Sequence, residues 1–451
     1  MKKMSTDERL QYMLQTPLKK ILFSLAIPTI ISNLISSFYN LADTYFVGQI
    51  GSESATGAIG IVFPIMSIMQ AFGFMFGHGS GNYISRAMGA GKTKEAEKIA
   101  ITGFVSAFAC GLILMLVIWA FTEPIVKILG GTQTIAPYAK RYLIFLLPGI
   151  PFLVSSLVLN NQLRYQGNAF YAMIGIVSGA ILNIVLDPIF IFKCNLGVAG
   201  AALATSLSQM VAFCVLLVGT VKRGAIKLKL KNLSINMSTY VNILKGGLPS
   251  LARQGVGSLG GVFLNVAASG YGDSVVAAMS IVSRCSMMAS SGIVGFGQGF
   301  QPICGFNYGA KKYQRVIDCY WLAVKVTCGA LCCISLLGFV FAPNIVSLFL
   351  KDNLVVAEIG AKALRFQCLS FPCFSFIIMS NMMLQTIGLT GKATLLAIGR
   401  QGIFLILSVS IFPPLLGVLG VQLAQPIADF STFIMAVPIA LGTIRKMSVM
   451  K

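Results

Sequence analysis

Apolar segments of membrane-spanning length recur along the whole sequence, and they restrict the fold more than any other feature. Each is close to the roughly 20 residues that a helix needs to cross the hydrocarbon core of a bilayer. The chain of 451 residues is 56% hydrophobic and only 10% charged, far from the composition of a soluble domain. We therefore expect an all-α polytopic membrane protein. About twelve transmembrane helices are predicted, at approximately 18–44, 55–79, 97–121, 138–159, 168–191, 197–219, 241–268, 275–300, 316–341, 361–384, 393–412 and 417–441.

The positive charges are divided unequally between the two sides of the membrane that these spans imply. Most of the 34 Lys and Arg residues fall on the side of both termini. The opposite side receives only Lys127, Lys140, Arg141, Lys193, Lys351, Lys362 and Arg365. This bias predicts a protein of the cell membrane with both termini in the cytoplasm. The net charge of +21 then reflects orientation and contact with membrane lipids, so we expect no nucleic-acid partner.

The 11 cysteines lie mostly inside predicted spans, among them Cys110, Cys214 and Cys328. None makes a spaced pair of the zinc-ligand type in a loop. We interpret them as small apolar packing residues and expect neither a metal nor a cofactor. The polar stretch before Leu18 is too long for a signal peptide, so we expect the first span to stay in the protein.

The second half of the sequence repeats the first at a nearly constant offset. The segment LGVAGAALA at 196–204 returns as LGVLGVQLA at 416–424, and Asn160 returns as Asn381. The chain is thus a duplicated six-span unit. Because each unit has an even number of spans, the two six-helix bundles share one orientation and are related by a pseudo-two-fold axis along the membrane normal.

This duplication predicts three parts of the chain. An N-terminal lobe covers residues 1–220, and a C-terminal lobe covers residues 246–451. The basic stretch 221–245 is predicted to be a cytoplasmic linker with the slack that rocking of the lobes requires. Repeats of this kind are common in secondary transporters, although some channels also have them.

Three of the 13 acidic residues fall at membrane depth, where a charge is costly and therefore a functional candidate. They are Asp43, Asp187 and Asp429. Asp43 and Asn40 share a polar stripe on the first span, because residues three or four apart lie on one face of a helix. Asn183 and Asp187 are neighbours on the fifth span for the same reason.

Asp43 and Asp187 are expected at similar depth, since both come late in spans that run in the same direction. Polar residues of the fourth and sixth spans could complete a pocket, namely Tyr142, Asn160 and Thr205. The aligned positions of the second copy carry no acid; they are Phe263, Phe404 and Ser408. A structural need of the fold would recur in both copies, so these acids predict a site in one lobe. The alternative is that Asp43 is solvated at the outer interface.

Two prolines lie close to these acids. Pro28 interrupts the first span, and Pro188 directly follows Asp187. Proline removes a backbone donor and kinks a helix, so both helices can bend. A hinge at Pro28 would change how Asp43 faces the cleft between the lobes. The alternative is a static kink that is filled by packing.

The other intramembrane polar residues favour structural explanations. Asp429 is expected to pair with one of the arginines inside spans and to hold the second bundle together; the alternative is a part in ion coupling. These arginines are Arg253, Arg284 and Arg400. His78 aligns with Gln298 of the second copy, which favours a structural hydrogen bond over a proton relay.

The segment GYGD at 270–273 matches the GxGD pattern of intramembrane aspartyl proteases, whose chemistry needs a second carboxylate close by. The repeat aligns Asp273 with Glu53, and both fall in a short outer loop. We therefore predict a turn with an acid in water. A protease is the least favoured alternative.

Taken in their order along the chain, these features resemble the MATE multidrug and toxin extrusion family, and within it the DinF-like branch that includes MepA-type exporters. The resemblance is carried by Pro28, NLADTYFVGQIGS at 40–52, LDP at 186–188 and LGVAGAALAT at 196–205. It implies a secondary active exporter, not an enzyme, that exchanges cationic amphipathic compounds for protons or sodium ions by alternating access. It also implies an N-lobe site that maps onto Asp43, Tyr142, Asn160, Asn183, Asp187 and Thr205.

Within this site we assign cation coupling to Asp43, Asp187 and Asn183. Substrate binding is assigned to Asn40, Tyr142, Asn160 and Thr205. The chain departs from the resemblance in two ways: the fourth span has NNQ at 160–162 where MepA-type members can carry a glutamate, and the seventh and tenth spans lack the acids of the NorM-like branch. Whether the coupling ion is H⁺ or Na⁺ stays open. We expect a monomer whose partners are small organic cations and membrane lipids.

Two other transport functions are compatible with the repeat. A flippase for lipid-linked precursors, from the same superfamily, would need Arg or Lys in its cavity to hold pyrophosphate. The polar seam of the first lobe is predicted to be acidic and neutral instead. A channel would show downhill flux without coupling to an ion.

Overall fold

The computed structural model describes residues 5–349 and 354–450, apart from the side chains of Glu53 and Leu354. Lys351, which the charge count assigned to an outer loop, lies outside the described residues. Every regular element in the described part of the chain is helical. Among the described residues, three short α-helices and one 3₁₀ turn lie outside the long helices, and they are Thr6–Gln15, Thr122–Ile128, Ala342–Ser347 and Leu230–Asn232.

Twelve long helical segments follow one another and confirm the predicted polytopic architecture. In chain order, spans 1 to 12 are Leu18–Gly48, Glu53–Gly89, Thr93–Ala120, Ala136–Tyr165, Ala169–Lys193, Val198–Arg223, Met237–Ser269, Asp273–Gly309, Tyr313–Val340, Leu354–Thr386, Thr390–Leu416 and Val418–Val449. Within the described ranges, 11 helices are long and apolar enough to cross a membrane. Span 7 takes the remaining place in the repeat with 33 residues and a more polar sequence.

Several spans are longer than their apolar runs predict. Spans 2 and 8 have 37 residues each and reach Gly89 and Gly309, well past the predicted ends at 79 and 300. Hydropathy marks only the part of a helix inside the hydrocarbon, whereas backbone hydrogen bonding continues the helix into the polar layer. Span 4 likewise reaches Tyr165, so that Arg164 is part of a span and is not in a loop.

The two bundles pack against each other near the end of the molecule that carries both chain termini, here called the termini end. Spans 1 and 2 of the first lobe contact spans 7 and 8 of the second. Glycines permit the approach: a Cβ at Gly79 would stand 2.0 Å from the carbonyl oxygen of Ile243, and one at Gly299 would stand 2.5 Å from the Cα of Ala26. The opposite end is called the far end below.

The connection between the lobes differs from the predicted slack linker at 221–245. Span 6 continues to Arg223 and span 7 already begins at Met237, where Asn236 caps its first turn. Residues between these helices bind the N-lobe. The backbone N–H of Ser234 donates to Thr102 Oγ1 at 3.1 Å, and the side-chain amide of Asn232 donates to Glu97 Oε2 at 3.0 Å. The linker is therefore short, and it is hydrogen-bonded to the N-lobe.

The short helix Thr6–Gln15 contacts both lobes at the termini end. Arg9 donates to the carbonyl of Gln166 in the N-lobe at 3.2 Å. On the other side, Asn307 of the C-lobe reaches the carbonyl of Met13 at 3.5 Å, and the Met13 side chain is fully buried. Burial lowers the pKa of the Arg9 guanidinium. This helix therefore reinforces the contact between the lobes.

Candidate functional site

A cavity of about 130 Å³ lies in the N-lobe, between spans 1, 2, 4, 5 and 6, and Gln298 of span 8 adds one side chain from the C-lobe. Much of its lining is polar although the surrounding bundle is apolar. The polar side chains along it include Asn33, Tyr39, Asn40, Asn160, Asn183 and Thr205. Unpaired polar groups are costly at membrane depth, so this seam is a candidate binding site.

The two acids of the first lobe lie together beside the far-end part of this cavity. Asp187 is completely buried and Asp43 is half-buried. Their charges are close enough to interact, and Tyr39 and Tyr142 lie within electrostatic range of both. Asp43 is not simply solvated at the interface, because its Oδ1 is buried without a hydrogen-bond partner.

Asn183 connects Asp187 to the cavity wall. Its Nδ2 donates to Asp187 Oδ1 at 3.3 Å and lies 3.4 Å from Thr205 Oγ1. The Oδ2 of Asp187 and the Oδ1 of Asn183 are both buried and have no partner. Carboxylate, amide and hydroxyl oxygens therefore converge here, and these are groups that can accept a proton or ligate Na⁺.

Tyr142 of span 4 lies next to the lining residue Thr205 and is not itself part of the cavity lining. It is fully buried, its hydroxyl interacts with Thr205, and the same hydroxyl lies 4.0 Å from the sulfur of Met66. Tyr39 was missed by sequence reasoning, which took only Asn40 and Asp43 from the polar stripe of span 1. Its aromatic ring belongs to the lining, where it adds an apolar face and one hydroxyl.

Asn40 and Asn160 also line the cavity, but their amide groups are partly engaged. Asn40 is exposed and donates to the carbonyl of Ser36 at 2.9 Å. Asn160 is buried and donates to the carbonyl of Ala172 on span 5 at 2.8 Å. Each side chain therefore offers mainly its amide oxygen to a ligand.

The prolines lie where the sequence analysis placed them, inside or at the end of a helix. Pro28 is buried within span 1, where Thr29 bonds across to the carbonyl of Gly295 in the other lobe at 2.7 Å. After Pro188, span 5 ends in a π-helical turn over Ile189–Lys193. Such turns are frequent at functional sites in helices.

Asp429 of span 12 is paired with Arg400, one of the three arginines proposed for it. Arg400 Nε donates to Asp429 Oδ1 at 2.7 Å, and the guanidinium lies 4.1 Å from the ring centre of Phe374. Three neutral side chains also donate hydrogen bonds to the carboxylate, and they are Gln367, Ser370 and Gln425. A buried carboxylate whose oxygens are all bonded, with an arginine as counter-charge, fits a structural role within the C-lobe.

His78 is part of a buried network that joins the lobes. Its Nδ1 faces the carbonyl of Phe74 at 3.1 Å, and its Nε2 faces Arg164 Nη2 at 3.3 Å. Arg164 also donates from Nη1 to Gln298 Oε1 of the C-lobe at 2.7 Å. Because a carbonyl and a guanidinium occupy the two ring nitrogens, His78 fits a neutral imidazole in a structural role.

Arg164 corrects the expectation that the seam holds no basic residue. It lies at the termini-end part of the cavity lining and is only 3% exposed. Sequence reasoning missed it because it was assigned to the loop after span 4. The polar run NNQLRYQ at 160–166 looks like a loop, yet it is buried helix up to Tyr165.

The GYGD segment forms the connection predicted for it. Gly272 has φ 104°, and Asp273 begins span 8 at the exposed far end. An acid in the first turn of a helix is favoured by the helix dipole. This explains Asp273 without catalysis.

Comparisons with known proteins point to one family. A family model described as MatE matches residues 28–189 and 249–409, one stretch in each lobe. Multidrug export protein MepA of Staphylococcus aureus (strain MRSA252) is 28% identical over 425 residues, which are 94% of this chain and 93% of that protein. The protein of the same name from Staphylococcus haemolyticus (strain JCSC1435) is 27% identical over 424 residues, again 94% and 93%.

Solved structures agree with the sequence comparisons. A structure described as the outward-facing conformation of a multidrug resistance MATE family transporter of the MOP superfamily is 27% identical and has a TM-score of 0.92. The match covers 99% of this chain and 100% of that chain. The chain described here is therefore a multi-pass membrane protein that belongs to the MatE family of transporters.

Proposed function

We propose that this protein is a secondary active multidrug exporter that exchanges cationic amphipathic compounds for protons or sodium ions by alternating access. The observation that carries the proposal is the carboxylate pair Asp43 and Asp187, each with a buried oxygen that has no hydrogen-bond partner. An unpaired buried anion is costly, so the site gains free energy when a cation or a proton arrives.

Competition for the same negative charge provides the exchange. A lipophilic cation in the cavity is attracted by Asp43 and Asp187, while Tyr39 offers it an aromatic face. Binding of H⁺ or Na⁺ to the carboxylates, with Asn183 and Thr205 as neutral ligands, removes that attraction. The substrate is then released on the side where the ion concentration is high.

The membrane potential alone provides a useful driving force. One positive charge that moves inward through 100 mV releases about 2.3 kcal/mol. At about 1.4 kcal/mol for each factor of ten, this supports a concentration ratio of roughly fifty for an uncharged exchange partner. When a substrate with one positive charge leaves as one ion enters, no net charge crosses the membrane, so the chemical gradient of that ion is the driving force. A second ion that enters for each substrate adds the membrane potential.

The arrangement of the lobes supports alternating access. They pack together at the termini end, which the positive charges assign to the cytoplasm. We propose this orientation, in which the packed end of the lobes faces the cytoplasm and Asp43 and Asp187 lie in the outer part of the N-lobe. We propose that a bend at Pro28 moves the Asp43 half of span 1 during transport, and that one chain is the working unit.

The relatives support the proposed class of substrate. Two proteins that match 94% of the chain are named multidrug export proteins. The apolar and aromatic part of the cavity suits varied lipophilic bodies, since such contacts do not depend on hydrogen-bond geometry.

Removal of each carboxylate tests the proposal. Asp43→Asn and Asp187→Asn keep the shape of the side chain but not its charge, so we expect at least a tenfold loss of ethidium export against its gradient. Glu123→Gln is the matched control: Glu123 is exposed in a short helix, and the neighbouring Lys140 lowers the pKa of its carboxyl. Wild-type export by both cavity variants, at normal expression, would contradict the proposal.

A further inference from the structure

The N-lobe cavity has charges of opposite sign at its two ends. The far-end part adjoins Asp43 and Asp187, and the termini-end part is lined by Arg164. The proposed exchange of cations uses only the acidic end. A buried guanidinium in the lining of a cation-binding cavity would repel the substrate unless it has a separate partner.

The Arg164 guanidinium is held only by neutral groups. Its two Nη atoms contact Gln298, Asn161 and His78, whereas its Nε is buried and has no hydrogen-bond partner. No carboxylate of the described residues lies within ion-pair distance of it. A buried charge without a counter-charge is expensive, so an anion that binds at this end of the cavity would be stabilised.

A second arginine strengthens the positive end. Arg253 of span 7 donates to the amide oxygen of Asn381 at 3.3 Å, and its charge interacts with that of Arg164. Two guanidinium groups that repel one another across the lobe interface would both be stabilised by one anion near them.

The fold itself does not require a guanidinium at this position. By the offset of the repeat, Arg164 corresponds to Gln385, which is neutral and bonds the carbonyl of Gly246 and the hydroxyl of Ser250. At the matching position of the second lobe, a neutral glutamine is therefore sufficient for packing, and no guanidinium is needed. The charge at Arg164 is therefore a property of the cavity-bearing lobe, as the two acids are.

The separation of the charged ends limits the ligand. Asn160 is level with Ala172, because its amide donates to the Ala172 carbonyl, and Arg164 is one turn further along span 4. Along span 5, Ala172 and Asp187 are roughly 22 Å apart at 1.5 Å per residue. A compact amino acid cannot touch both ends, whereas an elongated amphiphile can.

We propose that Arg164 binds the anionic group, a carboxylate or phosphate, of an elongated zwitterionic amphiphile whose cationic group occupies the Asp43–Asp187 end. This inference rests on the proposed function, since it uses the acidic end as the cation site. It extends the substrate class from lipophilic cations to long zwitterions with an apolar body between the charges. Arg253 supports the anion from the other lobe.

The test compares binding of two probes that differ by one charge. They are 12-(trimethylammonio)dodecanoate and its methyl ester, each measured by equilibrium dialysis on the full-length purified protein. Charge-assisted hydrogen bonds from a buried guanidinium should make the zwitterion bind about tenfold tighter than the ester. The short zwitterion 4-(trimethylammonio)butanoate should bind no more tightly than its own methyl ester, because it cannot reach both ends of the cavity.

The affinity ratio of zwitterion to ester is the readout in each variant, so it does not depend on the folded fraction. Arg164→Gln installs the residue of the second copy and should reduce the ratio to about one, while Arg164→Lys should keep part of it as a point charge. Arg445→Gln, at an exposed position near the end of span 12, is the control and should keep the wild-type ratio.

Two results would overturn the inference. One is a wild-type ratio of one, or a preference that survives Arg164→Gln. The other is displacement of the ester by dihexanoylphosphatidate as effectively as by the zwitterion, which would assign the site to a lipid phosphate. In either case, export of the ester that still depends on Asp43 and Asp187 would show that the inference fails while the proposed function stands. If that dependence is also missing, the proposed function fails.

Discussion

Asn183 donates a hydrogen bond to one carboxylate oxygen of Asp187, one helical turn further along span 5, while the other oxygen stays buried without a partner. The amide thus holds the carboxylate in place but satisfies only half of it. The same amide nitrogen lies 3.4 Å from Thr205 on span 6, so the orientation of Asp187 depends on packing between two spans. A carboxylate held in this way is oriented to bind a cation through its second oxygen.

Removal of this amide should weaken export without unfolding the protein. Asn183→Ala takes one hydrogen bond from a charged group, which is worth about 1.5–3 kcal/mol, so we expect a loss of roughly tenfold or more in export rate. The rate is measured as ethidium efflux from proteoliposomes. Asn344→Ala, at an exposed position in a short helix, should leave it unchanged. Equal rates in both variants would exclude a positioning role for Asn183.

The Arg400–Asp429 pair should matter for stability more than for coupling. Arg400→Gln leaves a buried carboxylate without its counter-charge, which costs about 3–5 kcal/mol and should lower the thermal unfolding midpoint in detergent. The double variant Arg400→Met with Asp429→Met should recover much of that loss, since an apolar pair of similar size removes both charges. A normal unfolding midpoint together with lost coupling in Asp429→Asn would instead assign Asp429 to ion coupling.

The glycine contacts between the lobes should set how tightly the termini end closes. Gly79→Ala places a methyl group 2.0 Å from the Ile243 carbonyl, so the two helices must separate. Overpacking of this kind costs about 1–3 kcal/mol. We therefore expect faster labelling of a cysteine introduced at Ser250, which is buried about one turn along span 7 from Gly247, a residue in close contact with Met75 of the N-lobe. Gly255→Ala meets no atom within 4 Å and is the control. Unchanged labelling in Gly79→Ala would show that the contact does not restrict opening.

A hinge at Pro28 predicts a kinetic effect. Pro28→Ala restores a backbone hydrogen bond inside span 1 and should stiffen the helix, so export should slow while the unfolding midpoint stays equal or rises. Pro438, which is exposed inside span 12, provides the control through Pro438→Ala. Wild-type export in Pro28→Ala would support a static kink.

The sequence was sufficient for the architecture and for the acidic pair, because both depend on regular periodicities. Spans follow from apolar runs, and the Asn183–Asp187 contact follows from a spacing of four in one helix. Arg164 and Tyr39 were missed for physical reasons. The buried stretch around Arg164 is polar, and Arg164 donates a hydrogen bond across the lobe interface to Gln298, so hydropathy could not distinguish the stretch from a loop.

The linker shows a second limit of sequence reasoning. Its basic composition indicates the side of the membrane, but nothing in the local pattern of 221–245 reveals that Ser234 and Asn232 are fastened to span 3. Contacts between segments that are distant in sequence leave no periodic signal. For the same reason, the sequence alone could not show that Thr6–Gln15 reaches both lobes.

The central claim is that a substrate cation and the coupling ion compete for the charge of Asp43 and Asp187. The most direct test measures the dissociation constant of ethidium for the purified protein while pH and Na⁺ concentration are varied separately. We predict that affinity weakens as either H⁺ or Na⁺ rises, and that Asp43→Asn together with Asp187→Asn removes this dependence. An affinity that is the same across both titrations in the wild type, or a dependence that survives in the double variant, would contradict the account.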